Sequence, residues 1–439
     1  RILNYDDGSG VANTELVLSA GQVDSVCVRF MPNITNEQEF RSRIFVESQQ
    51  CPPESIEVRA FVRNGTSIPG GAVSGMWTKE NSPYNIHGDI VVPAGGTLGI
   101  APGCSLRFIG PFSLEVGKDA QLIAIGSEEE AINFFSAART TNWRGIKIVE
   151  SGEDDTLRYC IISDVEVVGD NYGDGGALAL HHSSPYISNS EFSGNVADGN
   201  GGAVYAYNAK PIFERCVFIR NQAKLGGGLY LSHSKAILKN VLFHENQANE
   251  GAGIYASYST AIVENATMTE NIATGAGGAV RLKAGSHLEF YNSIIWANEA
   301  SIGSSASVSL EDVLEFKYSI LDTTGRWFGG LVKEGVTLQL GPGIKSVDPL
   351  FVDAAHDDFH LQANSPAIDA GNPMDDFGDE LFPHGFCVNL GAYGGTNEAA
   401  QTIRASLTVA PSPIDFGFVG SQEHKQLVVV LKNGGPDKV

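Results

Sequence analysis

The sequence lacks any apolar run of about 18 residues, the length that an α-helix needs to cross a bilayer, so no membrane span is expected. Basic residues are also few, since 29 Lys and Arg stand against 51 Asp and Glu, which gives a formal net charge of −22. Nucleic-acid binding relies on clustered Lys and Arg, so this balance argues against such a partner. An acidic surface keeps a protein soluble, and it is also compatible with Ca²⁺ binding.

Cysteine is scarce, and the six residues form no Cys-x-x-Cys motif and no zinc-ligand spacing. A structural metal held by cysteine is therefore not expected. Cys27 and Cys51 lie in one N-terminal segment and are candidates for a disulfide. Buried thiols are expected at the other four positions, which are Cys104, Cys160, Cys216 and Cys387.

Common catalytic signatures are missing as well. The sequence has no Gly-x-Ser-x-Gly motif, no phosphate-binding P-loop and no His-Glu-x-x-His motif. Its central part also lacks the apolar periodicity of a helix of about 10 residues. The strands of this part must therefore be joined by turns, which excludes a fold that alternates strands with helices.

What the sequence does contain is an internal repeat. Gly-Gly or Ala-Gly pairs recur at steps of 25 or 26 residues and end at Gly176, Gly202, Gly228, Gly253 and Gly278. Asn-x-Ala triplets follow the same rhythm and begin at Asn195, Asn221, Asn246, Asn271 and Asn298. A large apolar residue stands three positions before each of these Asn residues, namely Phe192, Phe218, Phe243, Met268 and Ile295.

Repeated short strands without helices predict a solenoid in which each repeat is one coil and parallel strands lie about 4.8 Å apart. One coil cannot bury its own apolar face, so like residues stack on like residues in neighbouring coils. The Asn column is then expected to form a ladder of side-chain amides that bond from coil to coil at a turn. The column headed by Phe192 is expected to fill the core.

Units such as Gly-Gly-Gly-Leu-Tyr at 226–230 resemble the repeats of secreted bacterial right-handed parallel β-helix proteins of the pectate-lyase-like superfamily. The resemblance, together with the right-handed rule for parallel crossovers, implies a right-handed helix. Some members of this superfamily cleave polysaccharides. The Gly-His-Gly and Arg-Ile-Lys signatures of β-helix polygalacturonases and the Arg-containing pectate lyase signature are absent here.

A second resemblance covers residues 346–398. The segments Asp348 to Phe351, Ser365 to Gly371 and Leu390 to Gly394 resemble the C-terminal region of the choice-of-anchor Q β-helix family. That family implies a location outside the bacterial cell or on its surface, and no particular reaction. Relatives often carry Gly-Gly-Arg where this chain has Gly385, Phe386 and Cys387, so no role of that Arg carries over.

We therefore predict an all-β chain with four parts. Residues 1–77 form an N-terminal β-sandwich-like segment, residues 78–325 the parallel β-helix, and residues 326–400 a C-terminal β-helix cap region. Residues 405–439 resemble the first strands of an immunoglobulin-like module, which needs about 100 residues when complete. Further domains of a longer chain are therefore expected as partners.

The column five residues after the second Gly of each pair is a candidate surface. It contains His181, Tyr207, His233, Tyr258 and Lys283. The column two positions earlier adds Tyr205 and Arg281. Unpaired Arg and Lys side chains are not expected inside a core, so these columns are expected to face outward and the alternate positions, Tyr230 and Tyr255 among them, inward.

Such a strip of imidazole, phenol and ammonium groups is typical of a carbohydrate-binding surface, with His181, Tyr205, Tyr207, His233, Tyr258 and Lys283 as ligand-binding candidates. In a polysaccharide lyase, His233 or Tyr258 would be the base and Lys283 or Arg281 would neutralise the uronate carboxylate. The alternative is an ordinary solvated strand surface, where Tyr is common.

Two groups of acidic residues are further candidate sites. Asp170 and Asp174 fit either a glycoside hydrolase carboxylate pair or an ordinary turn. Asp375, Asp376, Asp379 and Glu380 are either Ca²⁺ ligands or a solvated acidic loop, and Ca²⁺ is the one cofactor that the sequence suggests.

The regular coils from 199 to 298 contain almost no insertions that would wall a cleft. The sequence therefore favours a secreted or cell-surface β-helix that interacts with extracellular polysaccharide along its face. The alternatives are a structural stalk or adhesin segment without a ligand, and a polysaccharide lyase or glycoside hydrolase.

Overall fold

Each regular repeat folds into one coil of three or four strands. A computed structural model of the chain describes residues 65–137, 142–152, 154–167, 169, 174–329, 337–385 and 387–402, and the backbone of six strands outside them. In one coil, Leu229–Ser232 is followed by Lys235–His244, which bends at Asn240, and then by Gln247–Glu250. The next coil begins at Ile254, where the same order of strands starts again.

Coils stack in parallel register and form three faces, which we name after the side chains that they carry or what packs on them. The tyrosine face is an 11-stranded sheet. Its strands are Gly71–Ala72, Ile90–Val92, Leu114–Val116, Ile146–Gly152, Leu178–Ser183, Val204–Tyr207, Leu229–Ser232, Ile254–Ser257, Val280–Lys283, Ala306–Ser307 and Phe328–Gly329.

The other two faces meet at a corner and together form a 20-stranded sheet. The isoleucine face contains Gly75–Trp77, Thr97–Ile100, Gln121–Ile125, Thr156–Arg158, Tyr186–Ser188, Ile212–Glu214, the first halves of Lys235–His244 and Thr260–Thr269, His287–Tyr291, Val313–Lys317 and Thr337–Leu340. The covered face contains Thr66–Ile68, Tyr84–Ile86, Ser105–Phe108, Ile132–Ser136, Cys160–Ser163, Glu191–Ser193, Val217–Ile219, the second halves of the same two long strands, Ile294–Trp296 and Ile320–Leu321.

Short strands complete the coils between the covered face and the tyrosine face. They are Glu166–Val167, Val196–Ala197, Gln247–Glu250, Ile272–Ala276 and Glu299–Ile302. Helical structure in the described residues is limited to the 3-10 turns Lys79–Asn81 and Ala354–His356. Within that part of the chain, no helix has the length and apolarity to cross a membrane. The prediction of an all-β parallel solenoid is confirmed.

The core runs the length of the solenoid as stacked columns. Phe192, Phe218 and Phe243 are fully buried, and their rings stack with centroids 5.1 and 4.4 Å apart, as the repeat predicts. Burying each such side chain stabilises the fold by roughly 1.5–3 kcal/mol. Cys104, Cys160 and Cys216 are buried free thiols, but Cys387 is half-exposed because it lies outside the solenoid, so the prediction of a buried thiol is wrong there. Cys27 and Cys51 lie outside the described residues.

The predicted asparagine ladder is confirmed at the turn after the covered face. Asn246 Oδ1 accepts hydrogen bonds from the backbone N and the Nδ2 of Asn221 at 3.1 and 3.0 Å, and its own Nδ2 donates to Asn271 Oδ1 at 2.9 Å. The same pattern continues from Asn195 to Asn298. Each amide also donates to a backbone carbonyl of a neighbouring coil, so buried polar groups at this turn have partners.

Residues 346–402 fold back along the side of the solenoid. The outward column of the covered face, in register across five coils, is Val217, Leu242, Thr267, Ile294 and Ile320. This segment lies on it: Phe359 and Ala392 pack on Leu242, and Leu361 and Leu390 pack with Ile294 and Ile320. Its antiparallel strands Phe351–Asp353 and Asp358–Leu361 belong to this layer. The sequence predicts a C-terminal cap region over residues 326–400, whereas residues 346–402 pack along a flank of the solenoid.

The terminal segments contain antiparallel strand pairs. Ile2–Tyr5 pairs with Val11–Thr14, Gln38–Val46 with Glu54–Val62, and Leu407–Ala410 with Val430–Asn433. The first strand in the register of the solenoid begins at Thr66, ahead of the boundary at residue 78 in the sequence analysis. The sandwich-like and immunoglobulin-like assignments of the termini stay predictions.

Candidate ligand-binding face

The strand register corrects the predicted columns of the tyrosine face. Tyr205 pairs with Tyr230, which pairs with Tyr255, which pairs with Arg281. The neighbouring column is His181, Tyr207, Ser232, Ser257 and Lys283. His233 and Tyr258 are therefore not members of the column that contains Lys283, and each lies one residue beyond it.

The error has a simple cause in the glycine markers. In the coil with three successive glycines, the equivalent of Gly202 is Gly227, and in the next coil it is Ala252. Counting from Gly228 and Gly253 shifts two coils by one residue. Because side chains alternate between the two sides of a strand, a one-residue shift reverses the side to which each residue is assigned.

Tyr205, Tyr230 and Tyr255 form a stacked column on the outer side of the sheet, whereas the sequence analysis expected Tyr230 and Tyr255 to face inward. Their ring centroids are 5.4 and 5.0 Å apart and the rings are nearly parallel. Tyr205 and Tyr255 are nonetheless only 9% and 4% exposed, and burial raises the pKa of each of the three phenols to about 12.

Glycine turns cover this column. Gly226 and Gly251 have φ of +66° and +62°, and a Cβ on either would lie 2.9 Å from the Cβ of Tyr230 or Tyr255 respectively. Only glycine allows the turn to pack this closely in the left-handed conformation. The tyrosine stack is thus a structural element of the face, and it contributes little free surface to a ligand.

A carboxylate that is paired with two cations lies at the end of the tyrosine column. Glu250 Oε2 lies 3.1 Å from Arg281 Nε and 3.0 Å from Lys283 Nζ. Burial acts to raise the pKa of Glu250, but the hydrogen bonds and charges of Lys283 and Arg281 outweigh it, so the pKa is lowered. Arg281 also donates to Ser307 Oγ at 2.8 Å. Both cations are therefore engaged with protein groups.

The exposed part of the face is a line of rings that we call the aromatic strip, made of His181, His182, Tyr207, His233 and Tyr258. His182 contacts Tyr207 edge-on at 5.6 Å, Tyr207 contacts His233 at 5.9 Å, and His233 stacks on Tyr258 at 4.7 Å. Tyr207 is 37% exposed and Tyr258 is 62% exposed. The strip therefore crosses four successive coils.

Turn geometry explains why residues from different columns meet. His233 and Tyr258 each follow the end of a tyrosine-face strand, His182 is the penultimate residue of another, and all three have φ near +50°. In this arrangement His182 and His233 contact Tyr207, and Tyr258 contacts His233. His181 also lies 5.5 Å from Tyr205, as measured between the ring centroids. Ring contacts thus bring together five of the six predicted ligand-binding residues. The sixth, Lys283, has its ammonium 5.9 Å from the centre of the Tyr255 ring.

Two histidines of the strip, His182 and His233, have neutral hydrogen-bonding neighbours. The Nδ2 amide of Asn208 lies 2.9 Å from Nδ1 of His182, and because an amide nitrogen only donates, this ring nitrogen is the acceptor. Nδ1 of His233 lies 3.1 Å from Ser232 Oγ. Burial lowers the pKa of His181, although the nearby Asp174 acts in the opposite direction. Burial therefore favours the uncharged form of His181.

The predicted carboxylate pair of Asp170 and Asp174 stays a prediction, because the structure describes only one of the two residues. Asp174 accepts hydrogen bonds from the backbone and side-chain nitrogens of Asn200 at 2.9 and 2.8 Å, as a turn residue does. Asp170 lies outside the described residues.

The acidic loop residues have separate partners. Asp375 accepts from Asn292, Asp376 from the backbone of Gly378, and Asp379 lies 3.9 Å from Arg215. Glu380 is buried and accepts two backbone N–H groups. The structure does not bring the four candidate Ca²⁺ ligands together around one point.

A concave site that the sequence analysis did not identify lies where the folded-back segment meets the earlier coils. This cavity of about 610 Å³ is lined by Tyr159, Arg215, Tyr393 and Glu398, among others. It lies at the corner between the isoleucine and covered faces, away from the aromatic strip. No periodic signal identifies it, because residues 392–398 come from outside the repeat.

Comparison with known families identifies the class of this protein. The family model described as a right-handed β-helix region matches residues 130–295, a range that includes the whole aromatic strip. Neither the curated proteins nor the solved structures contain a match to the chain. The matched region and the stacked parallel sheets together define a right-handed parallel β-helix protein.

Proposed function

We propose that this β-helix protein interacts with extracellular polysaccharide through the aromatic strip. The observation that carries the proposal is the unbroken line of exposed rings, in contact at 5.6, 5.9 and 4.7 Å across four coils. The C–H faces of pyranose rings are apolar and pack on aromatic rings, while their hydroxyl groups bond to imidazole and phenol groups at the ring edges. A linear polysaccharide also presents its sugars at regular intervals, as the stacked coils present their rings.

Charge favours a neutral polysaccharide. The chain has a formal net charge of −22, which repels an acidic polymer. The cations beside the strip, Arg281 and Lys283, are paired with Glu250 and would have to leave it to bind a uronate. Releasing them would leave Glu250 unpaired, which is costly for a partly buried carboxylate.

The same contacts give less support to a lyase or a hydrolase. A lyase needs a free cation at the sugar carboxylate, and a glycoside hydrolase needs two carboxyl groups facing each other across the bond. In a stalk or adhesin segment without a ligand, the strip would be only a solvated strand edge. The resemblance to secreted β-helix and choice-of-anchor Q proteins supports a location outside the cell or on its surface.

Affinity electrophoresis through gels that contain neutral or acidic polysaccharides tests the proposal. We expect retardation by at least one neutral polysaccharide, and about tenfold weaker binding, equivalent to about 1.4 kcal/mol, for Tyr207→Ala and for Tyr258→Ala. Tyr186→Ala is the matched control, because Tyr186 on the isoleucine face has the same 37% exposure as Tyr207.

The other possible results of this experiment would each support a different function. Absence of retardation by every polymer would leave the stalk as the better account. Retardation that survives both strip variants but is lost in Tyr159→Ala would assign binding to the cavity. Release of unsaturated oligosaccharides, followed by their ultraviolet absorbance, would indicate a lyase.

A further inference from the structure

A cluster of one imidazole and two carboxylates lies on the isoleucine face, away from the aromatic strip. His287 and Glu289 belong to the strand His287–Tyr291, and Glu315 belongs to the next strand, Val313–Lys317. Residues two apart point to the same side of a strand, and the register places Glu289 directly beside Glu315. All three side chains are therefore on the outer side of the sheet.

Their ligand atoms are close enough to share one ion. The imidazole nitrogen or one carboxylate oxygen of each residue lies within 4.8 Å of those of the other two. His287 Nε2 is 3.3 Å from Glu289 Oε1. Zinc–nitrogen and zinc–oxygen bonds of about 2.0–2.2 Å at tetrahedral angles place two ligand atoms about 3.3–3.5 Å apart. The separation of His287 Nε2 and Glu289 Oε1 therefore matches the distance between two ligand atoms of one zinc ion.

The imidazole nitrogen has Glu289 as an ion-pair partner but makes no hydrogen bond. The His287 side chain as a whole is 41% exposed, whereas Nε2 itself is shielded from solvent. A nitrogen in that condition costs free energy unless something binds it. A metal ion between Nε2 and the carboxylate oxygens would satisfy it.

The two carboxylates of the cluster also lie in a position that is unfavourable without a cation. Two like charges directly opposite each other on adjacent strands destabilise a sheet, and Glu289 and Glu315 are such a pair. Lys317 Nζ lies 2.8 Å from Glu315 Oε1 and neutralises part of this charge. The two carboxylates and one ammonium leave a net negative site next to an imidazole, which attracts a cation.

Neighbouring side chains hold the ligands in orientation. The Tyr291 hydroxyl donates to Glu289 Oε2, so the other oxygen of that carboxylate, Oε1, faces His287. Lys317 holds Glu315 through Oε1, which leaves Oε2 available. Metal sites characteristically have outer partners of this kind, which fix the ligating groups before the ion arrives.

A second cluster with the same residue types lacks these features. His244, Glu245 and Glu270 are also close together, but Nε2 of His244 already pairs with Asp357 at 2.9 Å. The guanidinium of Arg220 binds both Glu245 and Asp357. Because Nε2 of His244 is already engaged while Nε2 of His287 makes no hydrogen bond, the isoleucine face carries the stronger candidate.

We infer that His287, Glu289 and Glu315 form a binding site for a divalent transition-metal ion of the Zn²⁺ or Co²⁺ type. An imidazole ligand selects these ions over Ca²⁺ and Mg²⁺, which prefer oxygen ligands alone. Water supplies the remaining coordination positions. The ion would tie together the coils that contain residues 287–291 and 313–317.

Titration calorimetry with Zn²⁺ and visible absorption with Co²⁺ on the whole chain test this inference. We expect saturable one-to-one binding and, for Co²⁺, the intense absorption of a tetrahedral site. His287→Gln and Glu315→Gln should each weaken binding at least tenfold. His356→Gln is the matched control, because His356 also pairs with a carboxylate, Asp353 at 2.7 Å, on the surface.

Three results would overturn the inference: no saturable binding, equal binding by His287→Gln and the unchanged chain, or displacement of Zn²⁺ by an equal concentration of Ca²⁺. Thermal unfolding of each variant in a chelator separates a lost ligand from a lost fold. A variant that unfolds earlier is replaced by Glu289→Gln, which must show the same loss of binding. The aromatic strip plays no part in the site, so this test is independent of the proposed polysaccharide interaction.

Discussion

Two columns of asparagine pass through the same coils, and they have different partners. In the ladder at the turn after the covered face, Asn221, Asn246 and Asn271 bond to one another. At the corner between the isoleucine and covered faces, Asn240 and Asn265 bond instead to backbone carbonyls of the folded-back segment, at 2.7–3.3 Å. Both columns are buried.

Backbone conformation makes the difference. The corner residues Asn240, Asn265 and Asn292 have φ near +50°, a left-handed conformation that Asn tolerates better than most residues. The amides of Asn240 and Asn265 point out of the solenoid, where residues 389–394 supply carbonyl groups, and the amide of Asn292 donates to Asp375. One kind of amide thus stabilises the stacking of coils along the axis, and the other attaches a separate layer to the flank.

The largest effect is expected from breaking the ladder. Asn246→Ala removes an amide that accepts two hydrogen bonds from Asn221 and donates to Asn271 and to the carbonyl of Phe218. Because these partners are buried and would be left unsatisfied, we expect a loss of about 4 kcal/mol in the free energy of unfolding. Urea denaturation followed by circular dichroism measures it. Asn249→Ala, at an exposed position of the same coil, should change stability by less than about 0.5 kcal/mol.

A smaller and more local effect is expected at the corner. Asn265→Ala removes bonds of 3.0 and 3.3 Å to the carbonyls of Asn389 and Gly391. We expect faster hydrogen exchange in residues 387–402, with the coils unchanged, and a loss of about 2 kcal/mol in the local opening free energy. Asn208→Ala controls for the left-handed conformation, because Asn208 has φ +51° but is exposed. Equal loss of protection throughout the coils would remove the distinction between the two columns.

The smallest effect is expected from a contact between coils that is charged and partly exposed. Glu250→Gln weakens the pairing with Arg281 and Lys283, and we expect a loss of about 1 kcal/mol near pH 7. The pKa of Glu250 is below its usual value of 4.5 in the folded chain, so this stabilisation is complete above that pH and is lost as the pH falls through the folded pKa.

Thermal unfolding of the unchanged chain and of Glu250→Gln from about pH 7 to pH 3 measures this dependence. The difference between the two should shrink on the acid side and should also shrink in high salt. Glu299→Gln, at an exposed glutamate, is the control. A difference that grows as the pH falls would contradict the assigned direction of the shift.

Part of this architecture is predictable from the sequence. The glycine, asparagine and phenylalanine markers predicted the coils, the ladder and the stacked core. They did not predict the columns of the tyrosine face correctly, because Gly228 and Gly253 occupy positions one residue later than the other markers. Matching the apolar residues Val204, Leu229 and Ile254, which pair directly in the structure, would have given the correct register.

Other features had weaker signals in the sequence. Glu289 and Glu315 are 26 residues apart, which is one repeat, so their pairing was accessible once the register was known. The Arg220–Asp357 pair joins residues 137 positions apart and follows no period. No feature of the sequence around Asn240 or Asn265 indicates that their amides bond to the folded-back segment and not to one another, as the amides of the ladder do.

The sequence by itself determined that this chain stacks coils, because each repeat presents an apolar column that only its neighbours can bury. It also determined the ladder, since amides at the same place in successive coils have one another as nearest partners. Tertiary structure alone decided which tyrosines are covered by glycine turns, which rings of the aromatic strip meet, and where residues 346–402 lie. Those outcomes depend on left-handed turns and on contacts between distant parts of the chain, which a local repeat does not encode.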